Sequence, residues 1–333
     1  MTEQADMGQI DMGSVVILLA THNGAEFLRA QLDSFTAQSY RNWQVFAGDD
    51  GSTDTSHEIL TAFAEQSLLN DNSVEIVDGP CAGTSSIHFL SLLIRAPQTP
   101  WLAFSDQDDV WLPDKLARAV AALAPLDPTR PALYCSRTWV TDADLGNPVL
   151  SRNYTRPRAF QNALLQNIAA GNTIVLNRAA ADLARRAAPA AMPVPGCSTS
   201  DHPTPGIPAH DWWLYQLITG AGGQIIHDDT PTLYYRQHGR NQVGANHGLA
   251  AAVVRTKAVL NGGYLRWNSA NITALESVSD LLTPQNRALL RGFADLGKKP
   301  LFARIRAFRT LGLYRQTRFT QAAIWVALVL GRL

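Results

Sequence analysis

Apolar positions at the start of the chain alternate between two periods. "SVVILLATHNG" (14–24) is an unbroken β-rich apolar run that ends in turn residues, and so predicts a strand. "AEFLRAQLDSFTAQS" (25–39) spaces Phe27, Leu28, Leu32 and Phe35 as one helical face. The alternation repeats. "NWQVFAGDDGS" (42–52) predicts a second strand, and Thr55 with Glu58 forms a capping-box pattern ahead of Ile59, Leu60 and Phe63 on a second helix. "VEIVDGP" (74–80) and "WLAFSDQDD" (101–109) read as strands three and four, with "SSIHFLSLLIRA" (85–96) as the helix between them. "WLPDKLARAVAAL" then places Pro113 at a helix start and Leu116, Val120 and Leu123 on a stripe. Successive β-α units imply a mostly parallel central sheet with helices on both faces, an α/β Rossmann-like architecture.

The second half is less regular. Strands are predicted over "ALYCSRTWV" (132–140), "NTIVLN" (172–177), "QIIHDD" and "TLYYRQHG", and helices over "FQNALLQNIAA" (160–170), "RAAADLARRAA" (178–188) and "HDWWLYQLITGAG" (210–222). The stretch 189–209 holds six prolines and reads as a loop.

Composition adds bounds. At 333 residues and 46% hydrophobic, the chain can bury a large core. Cys81, Cys135 and Cys197 are widely spaced, without a C-x-x-C pair, which points to thiols in a reducing, cytoplasmic setting. Residues 1–13 read as a disordered N-terminus without the apolar core of a signal peptide, and no apolar run reaches the roughly 20 residues of a membrane span. The formal net charge is +0, yet residues 250–333 hold 13 basic and 3 acidic side chains, so a basic tail follows an acidic body. Residues 298–319 set Leu301, Phe302, Ile305 and Phe308 on one stripe among arginines, which suits either a helix on an anionic membrane surface or one packed on the body.

In open α/β sheets, ligands bind beyond the carboxyl ends of the strands, where "THN", "DDGS" and "SDQDD" all fall. Asp106, Asp108 and Asp109 crowd three carboxylates together; repulsion of that kind is relieved by a hard cation or by solvent. An EF-hand fails on spacing, because Trp111 replaces the required glycine and Ala117 the terminal glutamate. "GDDGSTD" is also compatible with a plain tight turn with Gly51 at positive φ, and "HDWWL" with a helix cap before buried tryptophans. There is no P-loop, strand-linked G-x-G-x-x-G or nucleophile elbow.

The ordered set "VVILLATHNGAEFLRAQLDSFTAQSYRNWQVFAGDDGSTD", "FSDQDDVWLPDKL", "HDWWL" and "YRQHGRN" resembles the family 2 glycosyltransferases of the inverting GT-A type, above all their rhamnosyltransferase-like branch, which builds bacterial surface polysaccharides such as O-antigen. The resemblance covers residues 14–245. It implies a GT-A catalytic domain there, with a nucleotide-binding half (14–110) and an acceptor-binding half (111–245), followed by a basic helical region (246–333). It further implies that Thr21 and Asn23 form the first nucleotide-binding turn and that Asp50 accepts from N3 of uracil or thymine. Asp106 and Asp108 match the D-x-D, where Asp108 would bind a divalent cation (Mg²⁺ or Mn²⁺) and Asp106 ribose or metal. Asp211 matches the general base, Arg236 a turn over the diphosphate, and His238 a further metal ligand. The implied partners are a nucleotide-diphosphate sugar, with dTDP-L-rhamnose favoured over a UDP-hexose, and a glycan acceptor that is often lipid-linked in this family; nucleic acid is not among them. His88 stands where relatives tend to carry asparagine and is left outside the site, and His210 replaces a glutamate before the base. The helix start at Asp211 would tend to hold its pKa low. A sugar nucleotidyltransferase would want a Gly-rich, basic first turn that "ATHNGAEF" lacks, and a non-catalytic binding module should have lost Asp108 or Asp211. Asp109 is left without a role beyond capping the helix near Pro113.

Overall fold

The computed structural model describes residues 13–69, 72–192, 206–239 and 263–331, with side chains omitted for 263–266. The expected disordered segment therefore lies outside the described residues except for Gly13, as do most of the proline-rich stretch, Arg240 and Asn241 of "YRQHGRN", and the boundary near 246.

The first half follows its periodicity closely. Strands β1 (Val15–Thr21), β2 (Trp43–Asp49), β3 (Ser73–Asp78) and β4 (Trp101–Ser105) alternate with helices α1 (Ala25–Thr36), α2 (Ser56–Leu68) and α3 (Ser85–Arg95). They pair in parallel in the order β3-β2-β1-β4. Beyond β4 the sheet is mixed. The later elements are β5 (Val110–Trp111), α4 (Lys115–Leu123), β6 (Ala132–Thr141), β7 (Val149–Leu150), α5 (Phe160–Ala163), β8 (Val175–Asn177), α6 (Arg178–Ala191), α7 (His210–Gly220) and β9 (Gln224–Arg236). The order continues β8-β6-β9-β5; β8 is antiparallel to both β4 and β6, β9 is parallel to β6, and β5 is antiparallel to β9.

Alternation along β1 builds two cores. Val15, Ile17 and Leu19 join Leu28, Phe35, Leu60 and Leu116 on one face. Val16 and Leu18 join Phe89, Leu176, Trp213 and Leu217 on the other. The two strands expected over "QIIHDD" and "TLYYRQHG" are one strand, because β9 keeps pairing with β6 across a register shift that sets Ser136 beside Asp228 but Arg137 beside Pro231.

The capping box of α2 does not form, since Thr55 makes no side-chain cap bond. The polar residues of this turn serve α1 instead. Asp54 Oδ2 accepts from Ala25 N (3.1 Å) and Ser56 Oγ from Gly24 N (2.8 Å), which satisfies N–H groups that have no intrahelical partner at the start of α1. Pro113 precedes the cap of α4, Asp114, rather than opening the helix.

C-terminal helices α8 (Gly263–Ser277), α9 (Pro284–Ala294), α10 (Leu301–Thr310) and α11 (Arg318–Val329) extend the core that contains α6 and α7, through Leu275, Leu290, Phe293, Phe308, Ile324 and Leu328. The expected stripe over 298–319 is divided: Phe308 is buried and Ile305 half-buried, whereas Phe302 is exposed.

Candidate active site

The carboxyl ends of β1, β2 and β4 meet at one rim. Thr21 closes β1 fully buried, its hydroxyl without a hydrogen-bond partner, so His22 and Asn23 are what the first turn presents. Asn23 takes φ +48 and ties this turn to the next: its N–H donates to Ser52 Oγ (2.9 Å) and its Oδ1 accepts from Thr53 N (2.8 Å). Gly51, at φ +79, has the left-handed conformation its turn demands. Asp50 Oδ1 accepts from Cys81 N (2.6 Å), and a pocket beside it is lined by Asp49, Gly51, Ser52, Asp78 and Gly79.

Gln107, in the middle of "SDQDD", locks the acidic loop to the first turn. Its Oε1 accepts from His22 N (2.8 Å) and its Nε2 donates to His22 O (3.1 Å), in the manner of a β-ladder pair. Gly24 makes this possible, because a Cβ there would stand 2.3 Å from Gln107 Oε1.

The three carboxylates of the loop have different surroundings. Asp108 Oδ2 lies 2.7 Å from His238 Nε2, and both side chains are largely buried. Asp106 is pushed up to about 7 by burial, then by Asp108 and Asp211, with Lys115 opposing. Asp109 is fully buried and bonds inward rather than capping α4: Asn172 Nδ2 donates to its Oδ2 (2.6 Å) and Arg236 N to its Oδ1 (3.4 Å). Lys115 faces this cluster from α4, with Nζ donating to Asn172 O (2.8 Å) and lying 4.4 Å from the centre of the Trp111 ring. Burial lowers its pKa to about 7 against the pull of Asp109 and Asp106.

Arg236 ends β9 beside the same loop. Its Nε donates to Asp108 O (2.9 Å), an Nη donates to Ala143 O, and its guanidinium lies over the Phe27 ring at 4.6 Å. Its charge thus sits close behind Asp108, and these N–H groups hold main chain.

Asp211 opens α7. Its Oδ1 accepts from Trp212 N (2.6 Å), its Oδ2 from Gly171 N (3.2 Å), and the Asn167 side chain bonds to it as well. The low pKa expected from the helix start is reversed: burial outweighs these donors and lifts the group to about 6. His210 does not reach the base through its ring, which packs against Phe89 (4.3 Å) and Phe104 (5.5 Å) and is held neutral by burial, at about 3. Gly171 accommodates both neighbours. A Cβ there would lie 2.9 Å from His210 Nε2 and 3.5 Å from Asp211 Cβ. His88, outside the expected site, lies under β2, where Gly48 leaves it room.

Among the described residues, no three His, Cys, Asp or Glu side chains form a self-sufficient metal site. Asp108 and His238 do place an oxygen and a nitrogen donor side by side with Asp106 adjacent. That donor set fits a hard divalent ion that takes its remaining ligands from phosphates and water.

The sequence profile of "Glycosyl transferase family 2" matches residues 16–180. The chain carries that family's domain over these residues. It is a glycosyltransferase, similar to the dTDP-rhamnosyl transferase RfbG of Shigella flexneri (23% identical over 266 residues, 74% of this chain and 80% of that protein). It is also similar to an Escherichia coli UDP-Glc:alpha-D-GlcNAc-diphosphoundecaprenol beta-1,3-glucosyltransferase, WfaP, at 26% identity over 33% of this chain and 41% of WfaP. In fold it matches the mannosyltransferase PcManGT of Pyrobaculum calidifontis, solved with GDP-Man and Mn2+, with a TM-score of 0.50 and 19% identity over 96% of this chain and 87% of that one. The GT-A architecture implied by the motifs is thereby borne out for this family 2 glycosyltransferase.

Sequence reasoning missed Asn167, Gly171, Asn172 and Lys115. Asn167, Gly171 and Asn172 stand outside the motifs that carry the resemblance, and Lys115 stands inside "FSDQDDVWLPDKL" without a role; only tertiary pairing brings them to the acidic loop and Asp211. Gln107 was visible inside "SDQDD" without a role.

Proposed function

We propose that the protein transfers a sugar, with inversion, from a nucleoside diphosphate to a hydroxyl of a growing bacterial surface glycan. The observation that carries the proposal is Asp211: a carboxylate held by Gly171 N and Asn167, with its proton affinity raised by burial, close enough to Asp106 to perturb it. Asp211 accepts the acceptor's hydroxyl proton while the oxygen attacks the anomeric carbon. The bond from that carbon to the diphosphate oxygen breaks on the opposite side, and its electron pair leaves with the nucleoside diphosphate. A bound Mg²⁺ or Mn²⁺ would neutralise charge on the leaving group. Asp108 and His238 are the residues to hold it, with Asp106 serving ribose or metal. Arg236 keeps the loop in place and adds positive field behind it. Asn23 shapes the turn against which the nucleotide rests, Thr21 anchors that turn from inside, and Asp50 recognises the base through N3.

The resemblance to RfbG favours dTDP-L-rhamnose, with UDP-hexoses as the competing donors, and the name of WfaP favours a lipid-linked acceptor. Such an acceptor would have the enzyme work peripherally at the inner face of the cell membrane. The catalytic domain is assigned to 14–245 and the basic helical region to 246–333. The test is donor hydrolysis and transfer over dTDP-, UDP- and GDP-sugars, with and without Mn²⁺ and chelator. Turnover indifferent to chelator would remove the metal role of Asp108, and full turnover by Asp211→Asn would remove the base.

A further inference from the structure

Helix α11 carries no charged residue from Phe319 to Val329. Its inner side buries Ile324, Ala327 and Leu328 against the body of the protein. The opposite side is apolar too: Phe319, Val326, Val329 and Leu330 are 70%, 54%, 50% and 54% exposed. At 100° per residue, 319, 322, 326, 329 and 330 fall on one side, with Ala322 between the larger groups. Water therefore meets a contiguous apolar stripe along the whole helix, which is unusual for a surface that stays bare.

Helix α10 packs antiparallel beside it. Phe308 meets Trp325 edge-on at 4.7 Å, and Arg304 donates to Leu328 O (2.9 Å). The outer side of α10 presents Phe302, 86% exposed, with Arg306 and Arg309 one and two turns on, and Arg309 reaches over Trp325 at 5.6 Å. Arg318, also exposed, begins α11. The apolar stripe is thus edged by guanidinium groups.

We propose that this face of α10 and α11 docks on an anionic lipid surface. The charge pattern selects the occupant. Phe302, Phe319, Val326, Val329 and Leu330 would enter the boundary between headgroups and acyl chains, while Arg306, Arg309 and Arg318 meet lipid phosphates. A second copy of the chain would instead bring the same three arginines against one another. Helix α11, at 12 residues, is about 18 Å long and lies along a bilayer rather than across it. This replaces the stripe expected over 298–319, whose Phe308 is buried inside the protein. The proposal is consistent with a lipid-linked acceptor but does not need turnover for its test.

The full chain is mixed at low salt with vesicles of phosphatidylcholine, with and without phosphatidylglycerol, and the bound fraction is read by flotation. Binding is expected only with phosphatidylglycerol and should fall as salt is added. The pair Phe319→Asp and Val326→Asp should reduce it about 10-fold or more, and Arg306→Gln with Arg309→Gln should reduce it and flatten its salt dependence. Both pairs alter exposed side chains, so thermal unfolding and donor hydrolysis in solution should stay at the parent values. No binding to anionic vesicles, or binding indifferent to both pairs, overturns the proposal. A concentration-dependent dimer abolished by Val326→Asp would overturn it in favour of self-association.

Discussion

Replacing Asp211 by asparagine removes the proposed base while keeping its shape. In the folded protein burial lifts this carboxyl from 3.8 to about 6, a change worth about 3 kcal/mol in proton affinity. If half of that carries into the transition state, Asp211 is roughly 10-fold more effective as a base than an exposed aspartate. Losing the group altogether should cost about 10²- to 10⁴-fold in transfer rate, or about 3–5 kcal/mol. The base must be ionised, so kcat/KM should climb with pH and level off above about 6, where an ordinary aspartate would level off near 4. The assay is initial-rate transfer from pH 5 to 8, paired with calorimetric donor binding, which Asp211→Asn should leave intact. A variant with undiminished turnover would refute the assignment; so would parallel loss of donor affinity, or a wild-type profile already flat at pH 5. Stability gives an independent check. Because the folded pKa is raised, stability associated with the protonated group is full below 3.8 and lost as pH rises through about 6. Asp211→Asn should therefore be more stable to unfolding than the parent at pH 8, by up to about 2 kcal/mol given partial solvent access, and show little difference at pH 4.

Gly171→Ala should press on His210 and displace the N–H that holds Asp211; a drop of about 10-fold or more in kcat with donor affinity preserved would be read by steady-state kinetics. Burial and the neighbouring Asp108 and Asp106 raise the Asp109 carboxyl well above the usual carboxylate range. Asp109→Ala therefore removes a buried hydrogen-bonding group and should destabilise the fold by about 1–3 kcal/mol in denaturant titration, whereas Asn172→Ala, which removes one donor to it, should cost about 0.5–1.5 kcal/mol. His238→Ala should weaken Mn²⁺ binding by calorimetry and also lower the melting temperature, since it takes a largely buried partner from Asp108 and a ring contact from Phe27.

Strands β1 to β4 were legible because each is a long apolar run followed by a helix with its own stripe, and local and global preferences agree there. Elements of two residues, such as β5 and β7, have no period to detect; β5 exists because β9 offers it a partner at Tyr234 and Leu233. The helix expected over 160–170 stops at Ala163, and Asn162 shows why. Its side-chain Oδ1 accepts from the Tyr215 hydroxyl and its Nδ2 donates to Tyr314 O, so the segment is committed to tertiary partners. "DDGS", "SDQDD" and "HDWWL" do gather near one another, because strand ends dictate where turns meet. The chemistry of single groups was less visible. Whether Asp211 is a weak or a strong base depends on burial and on Asn167, which lies over forty positions earlier in the chain, and helix polarity alone gave the wrong sign.

The inward bonds of Asp109 have a consequence for anyone who wants to re-engineer donor choice. The acidic loop is bolted through Asn172 and Gly171 to Asp211, and through Arg236 to the end of β9. The turn at 49–54 is bolted to the start of α1 instead. A graft of 104–111 from a relative would arrive without its fasteners unless 167–172 and 234–238 travel with it. The 49–54 turn with residues 21–25 forms a separate cassette, joined to the acidic loop chiefly through Gln107. Under the proposed roles, base preference should therefore be exchangeable in one move, and the proposed metal and proton chemistry only as a block.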